Sequence, residues 1–346
     1  MTGETLAEFT FELHVCRLAE RDWPPAGTPP GGPWIVARQL GTRGRRWDTI
    51  VIECDPAGFE QRAAFGNRGL DDDLRFVLRN APETWGWYRD VLPDPGYPWR
   101  YVRESIHRAA DRGVLETRRE GNRIHIRRRY DYPEWIRRIV AIENKPDLDR
   151  RAADALARQL EYDVALGLAD EVWVATQRRD ERVAPALLET MPVEAGILVV
   201  DPESLTWESI WNPRSLRPAE TGVRILEAGR PNVAGRFEYV EGGEKEKFRR
   251  RIAERAWEHG WRRYIDSMRQ DCRHFALEAD HPTNPPRCVA KGRPQTAAEC
   301  HGSCDRFEPE PPSWRTRGWP IEGGPGRAVE ELLAHQRERY RPCQAE

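Results

Sequence analysis

The chain has 346 residues, 39% apolar and 32% charged, and its 55 basic and 57 acidic side chains leave a formal net charge of −2. No run approaches the roughly 18 apolar residues of a membrane span, and MTGETLAEF lacks the basic-then-apolar start of a signal peptide, so a soluble, cytoplasmic protein without membrane association is expected. At ~100 to 200 residues per domain the length predicts two or three domains. Mean hydropathy of −0.78, with 27 Gly and 28 Pro, predicts modest cores joined by ordered loops, and 14 Trp argue against a disordered chain.

The basic residues are one-sided. Only Lys145, Lys245, Lys247 and Lys291 are lysines, which leaves 51 of the 55 as arginine. A bias of this kind reflects genome composition before it reflects phosphate binding, so the places where a lysine does occur carry more information than the arginines.

Leu6, Phe9, Leu13 and Cys16 recur at helical spacing within residues 4–20, and Trp23-Pro24-Pro25 ends the pattern. Two strands, 34–40 and 47–54, flank the basic turn GTRGRR and form a hairpin. Residues 60–135 change character: helix, Pro-rich turns, a second helix (WRYVRESIHRAADRG), then two short strands joined at Glu120-Gly121-Asn122. That order is the order of a winged helix, with Arg100, Arg103 and Arg108 on its second helix and Arg118, Arg119, Arg123 and Arg127 to Arg129 in the wing. Strand and helix then alternate: strand 138–144, helix 149–168, strand 171–176, a short helix 181–190 and strand 196–201. Beyond Asp201 strands and loops mix, a basic helix over 244–268 carries Trp257 and Trp261 at i, i+4, and a terminal helix falls at 326–340.

These elements predict an α/β core over 1–59 and 136–215, an inserted winged-helix-like module over 60–135, and a C-terminal region over 216–346 with the basic helix and a cysteine cluster. Within the core, Glu143 and Lys145 alternate at the end of the apolar strand VAIENK, which puts both on one face. A carboxylate and an ammonium there are costly to bury unless paired or bound to an ion. With Asp48 beside them, two carboxylates and one lysine describe a divalent-cation site with hard oxygen ligands.

At these residues the chain resembles the PD-(D/E)XK nuclease superfamily, whose core runs helix, hairpin bearing an Asp, strand bearing (D/E)-x-K, helix, strand. Here the matching segments are residues 4–20, Asp48, Glu143-Asn144-Lys145, 149–168 and 171–176, with the inserted module lying between Asp48 and Glu143. Gln159 and Tyr162, three apart, are similar to the Gln and Tyr that stand four apart on that helix in the RecB-like branch. The resemblance implies a restriction-endonuclease-like core that hydrolyses phosphodiesters in DNA or RNA. It implies that Asp48, Glu143 and the Asn144 carbonyl bind Mg²⁺ or Mn²⁺, and that Lys145 serves the attacking water. An acid on the first helix completes the site, Glu12 by choice and Glu8 as the alternative. Arg43, Arg45 and Arg46 beside Asp48, with Arg103, Arg118, Arg119 and Arg127 of the module, are the expected contacts to nucleic acid, DNA first. Protein partners are left open. The competing reading is a winged-helix DNA-binding regulator whose nuclease-like domain is an inactive scaffold.

The seven cysteines are an odd number in a chain without an export signal, which fits a reducing compartment. Cys272, Cys288, Cys300 and Cys304 are spaced C-x15-C-x11-C-x3-C in a Pro/Gly-rich stretch with little periodicity. Four thiolates there can fold around Zn²⁺, or alternatively a [4Fe-4S] cluster. Some RecB-like nucleases hold an iron–sulfur cluster with one early cysteine, a place that Cys16 would take. His274, His281 and His301 lie nearby as single histidines.

Overall fold

The computed structural model describes residues 7–309 apart from 26–30, 43, 149, 179–190, 228, 230–233, 279–282, 284 and 302. Arg43, His281 and the helices expected at 181–190 and 326–340 lie outside the described residues. Helix α1 (Glu8–Asp22) leads into the antiparallel hairpin β1 (Trp34–Gly41) and β2 (Arg46–Cys54). Then come α2 (Pro56–Ala63), α3 (Asp72–Asn80), β3 (Gly86–Trp87), the single turn α4 (Tyr88–Val91), α5 (Trp99–Asp111), β4 (Leu115–Glu120) and β5 (Arg123–Arg128). The chain returns through β6 (Ile136–Asn144), α6 (Arg150–Leu166), β7 (Glu171–Gln177), β8 (Gly196–Asp201) and β9 (Thr206–Trp211). It continues with β10 (Gly222–Glu227), β11 (Arg236–Val240), α7 (Gly242–His259), a 3₁₀ turn over Arg262–Ser267 and three short strands, β12 (Phe275–Leu277), β13 (Pro286–Cys288) and β14 (Arg293–Pro294).

Six strands form one mixed sheet in the order β1-β2-β6-β7-β8-β9. The pairs β6/β7 and β7/β8 are parallel, and β1/β2, β2/β6 and β8/β9 antiparallel. Parallel β6 and β7 need a crossover, which α6 supplies. The central strands are apolar on both faces because both faces are covered. On one face Ile35, Ala37, Ile50, Ile52 and Ala141 pack with Leu156 and Leu160 of α6 and Trp257 of α7. On the other, the alternate residues Val36, Val51, Val140 and Ile142 pack with Phe11, Leu13 and Val15 of α1 and with Trp261 and Ile265. Helix α1 is therefore buried almost all round, more than a one-sided amphipathic pattern requires.

Trp257 and Trp261 thus belong to opposite faces of the sheet. The continuous helix expected over 244–268 stops at His259 because Gly260 adopts φ 56°, in the left-handed region that favours glycine, and the chain turns into the 3₁₀ segment. Trp257 stacks edge-on against Trp135 with ring centroids 5.4 Å apart, a contact worth roughly 0.5–1.5 kcal/mol beyond its buried area. Helix α7 thus packs into one core and the 3₁₀ segment into the other.

Between β2 and β6, helices α3 and α5 and the antiparallel sheet β3-β5-β4 enclose a separate core of Leu74, Val77, Val102, Ile106, Ala109 and Ile126. Asp71 caps α3 by accepting from the Leu74 N–H, and Gly121 at φ 59° makes the tight turn of the β4–β5 hairpin. Arg62, with no exposed surface, ties this unit to the main sheet. Its Nε donates to Glu254 of α7 at 3.0 Å, the Tyr132 hydroxyl donates to the same carboxylate at 2.9 Å, and the Leu70 N–H donates at 2.9 Å. Among the described residues no helix is long and apolar enough to cross a membrane.

Candidate active site

Asp48 sits near the start of β2 and Glu143 near the end of β6. Their antiparallel register pairs Thr49 with Ile142, so Asp48 and Glu143 follow as cross-strand neighbours. Asp48 Oδ2 accepts from the backbone N–H of Asn144 at 2.9 Å, which locks the hairpin acid onto the Glu-Asn-Lys segment. Lys145 follows directly, its own N–H donating to the Ala175 carbonyl of β7 at 2.8 Å. The Asn144 side chain faces the other way and donates to Thr49 Oγ1 at 2.9 Å.

Helix α1 supplies two acids one turn apart, and they take different places. Glu8, exposed, accepts from Lys145 Nζ at 2.8 Å. Glu12, buried, accepts from Arg38 and, at 2.8 Å, from Gln39 Nε2. The same Gln39 amide reaches Asp48 Oδ1 at 3.2 Å, so one side chain bridges the two carboxylates. Gln39 has φ 53° within β1, a conformation that costs a non-glycine residue of order 1–3 kcal/mol and that gathers at functional sites.

On the α6 side, Gln159 Nε2 donates to Glu143 Oε2 at 2.7 Å. The next turn of that face is occupied by Asp163 at i+4, not by Tyr162 at i+3. Asp163 is buried and accepts two hydrogen bonds from Arg45, at 2.8 Å from Nε and 2.7 Å from Nη2. Tyr162 is half-buried and makes no hydrogen bond among the described residues. Arg45 also pairs with Glu143, so its guanidinium bridges two buried carboxylates. Expected as a steering group for nucleic acid, it is instead part of the site's wall, whereas Arg46 is exposed.

Burial first, and then the nearby Asp48 charge, raises the Glu143 carboxyl to about 7, although Arg45 pulls the other way. Burial likewise raises Glu12 against the opposing pull of Arg38. For Lys145 burial favours the neutral amine, but the hydrogen bond and charge of Glu8 outweigh it and the ammonium is held above its ordinary value. Lys145 is therefore a proton donor at neutral pH, not a base.

The donor set suits a hard divalent cation. Among the described residues no three His, Cys, Asp or Glu side chains stand in an arrangement that holds a metal ion. Mg²⁺ keeps several waters, however, and uses only one or two carboxylates, which is what Asp48 and Glu143 offer.

Cys272, Cys288, Cys300 and Cys304 all line one small cavity of about 20 Å³ and are free thiols. Burial raises the Cys300 thiol, and the nearness of the other three adds to the effect. His301 lines the same cavity, and so does His274, which lies 3.4 Å from Glu308. Cys16 does not line it. That thiol is buried in α1 with Sγ 3.4 Å from Thr49 Oγ1, and burial pushes it up to about 12.

The four arginines of residues 60–135 expected to contact nucleic acid fall in two places. Arg103 and Arg119 line a shared groove between α5 and the β4–β5 hairpin. Arg118 and Arg127 lie instead over the Trp85 ring, at 4.6 and 4.9 Å, and pair with Glu120 and Glu116.

Sheet and site together define a mixed α/β protein with an acid-rich centre where two neighbouring strands, α1 and α6 meet. The chain belongs to a family of unknown function, DUF5787, whose match spans residues 35–309. No curated protein and no solved structure matches it.

Proposed function

We propose that the chain is a metal-dependent nuclease of the PD-(D/E)XK type, with a restriction-endonuclease-like core interrupted by a winged-helix-like module. The observation that carries this reading is the hydrogen bond from the Asn144 N–H to Asp48, which sets the hairpin acid beside Glu143 and Lys145. Asp48 and Glu143 would hold Mg²⁺ or Mn²⁺, with the Asn144 carbonyl as the expected third oxygen. The cation, when bound, polarises the phosphate and neutralises charge developing on it. Gln159 and Gln39 hold the two carboxylates in place. Lys145 keeps its proton on Nζ and donates it as a hydrogen bond, orienting the attacking water or a phosphate oxygen. Arg45 balances Glu143 and Asp163, so the centre stays folded in spite of its acids.

The same reading assigns Zn²⁺ to Cys272, Cys288, Cys300 and Cys304, as a structural ion for a segment with only three short strands among the described residues. Support comes from four free thiols that line one cavity of atomic size; as placed no three of them stand in a metal-holding arrangement, so binding would have to draw them together. One zinc per chain in a colourless protein is the expected elemental analysis; a brown protein containing iron and sulfide would replace zinc with the iron–sulfur alternative.

Cleavage of DNA and RNA by purified protein, with and without Mg²⁺ or Mn²⁺, tests the nuclease. Metal-dependent cutting is expected. Tight, sequence-specific duplex binding without any cutting would support the regulator reading in its place.

A further inference from the structure

A groove of about 880 Å³ lies between α5 and the β4–β5 hairpin. Among the described residues most arginines pair with carboxylates; Arg108, Arg118, Arg127 and Arg128, all in the same module, each have an acidic partner. Arg89, Arg100, Arg103 and Arg119 line the groove, are exposed, and among the described residues none forms an ion pair. Glu104 is the only acid on the groove wall. Four uncompensated guanidinium groups round one concavity make a strong positive potential, because low-dielectric walls focus the field.

Flat surfaces accompany the charge. Trp87 and Tyr101 line the groove, and Tyr101 is 40% exposed. Arg100 stacks on Tyr101 at 4.7 Å, and Arg89 lies about 6 Å from the rings of both Tyr88 and Trp99. Cations for phosphates combined with aromatic and guanidinium planes are the means by which proteins hold unpaired bases. A duplex hides its base faces in its own stack and cannot use such planes. The volume also lies within the ~300–1,000 Å³ of small-ligand clefts, room for a few nucleotides of one strand.

We propose that this groove binds single-stranded nucleic acid, holding phosphates on Arg89, Arg100, Arg103 and Arg119 and bases against Tyr101 and Trp87. The proposal rests on the nucleic-acid reading above but not on its hydrolytic chemistry. Arg118 and Arg127, on the opposite face of the hairpin, take no part.

Fluorescence anisotropy with a labelled single-stranded 12-mer, in EDTA so that no cutting occurs, tests it. Binding at least about tenfold tighter than to the matched duplex is expected, with affinity falling as salt rises. Arg103→Ala with Arg119→Ala should weaken binding by about tenfold or more and reduce the slope of log affinity against log salt by about 0.7 per lost phosphate contact. Tyr101→Ala should weaken binding without changing that slope. Arg217→Ala, which removes one exposed charge elsewhere, should leave binding unchanged, and thermal melts check that each variant is folded. Wild-type affinity in the double arginine variant, no binding by the wild type, or a duplex preferred over the single strand would overturn the proposal. The two readings fail separately: strand binding in EDTA with no cleavage by metal-supplied wild type rejects the nuclease alone, and cleavage without groove-dependent binding rejects the groove alone.

Discussion

Asp163 and Arg45 lie 118 residues apart in sequence and form a doubly hydrogen-bonded ion pair behind Glu143. Removing one member of a buried pair leaves the other charge uncompensated, at a cost of roughly 3–5 kcal/mol when it has no other partner. Arg45 keeps Glu143, so Asp163→Ala should cost less, about 1–3 kcal/mol in urea denaturation. Asp163→Asn keeps the shape and should cost less again. Losing Gln159, which touches Glu143 directly, should instead lower cleavage with little change in stability.

Glu143 links stability to pH. Its folded carboxyl titrates near 7 and its unfolded one near 4.5, so the folded state binds the extra proton between these values. The Glu143 contribution to the stability of metal-free protein should therefore be lost as pH rises from about 5 to 8, by an amount on the order of 1–3 kcal/mol. Asp48, Asp163 and Arg45 face the same carboxyl and set the size of the effect. Glu143→Gln should flatten this part of the profile, and saturating Mn²⁺ should flatten it in the wild type. A Glu143→Gln variant that keeps the wild-type slope between pH 5 and 8 in EDTA would reject the assignment.

Glu254 holds Arg62, Tyr132 and the Leu70 N–H together where the inserted unit meets the sheet. Glu254→Ala strands a fully buried guanidinium and should destabilise by roughly 3–5 kcal/mol. Calorimetry should then show an earlier transition, with hydrogen exchange rising first over residues 62–70.

If a zinc ion organises the four thiols, Cys300→Ser or Cys304→Ser should lower bound zinc and the melting temperature together, because metal-binding energy is folding energy in such segments. Cys54→Ser, away from the cavity, should keep a full complement of zinc.

The hairpin bearing Asp48, the strand ending in Glu143-Asn144-Lys145 and the helix-linked strand after it were readable because apolar runs and turn residues are local signals. Lys145 stands out because the chain has only four lysines. Asp163 is readable in principle, since i+4 from Gln159 continues the same helix face, but the family resemblance points to Tyr162. Arg45 looked like a surface charge in a basic turn; only tertiary structure folds it back onto two acids. Gln39 has no local signal at all, because its role depends on a left-handed backbone inside a strand. Gly260 hid in an otherwise helical pattern and moved Trp261 to the far side of the sheet.

The central claim is that Asp48, Glu143 and Lys145 form one hydrolytic centre. Cleavage rates of labelled DNA and RNA in Mn²⁺ for wild type, Asp48→Ala and Lys145→Ala, each checked for folding, test it most directly. Metal-dependent cleavage by wild type and a loss of at least about 100-fold in both variants is predicted. Equal cleavage by all three proteins, or none by folded, metal-supplied wild type on either substrate, would contradict it.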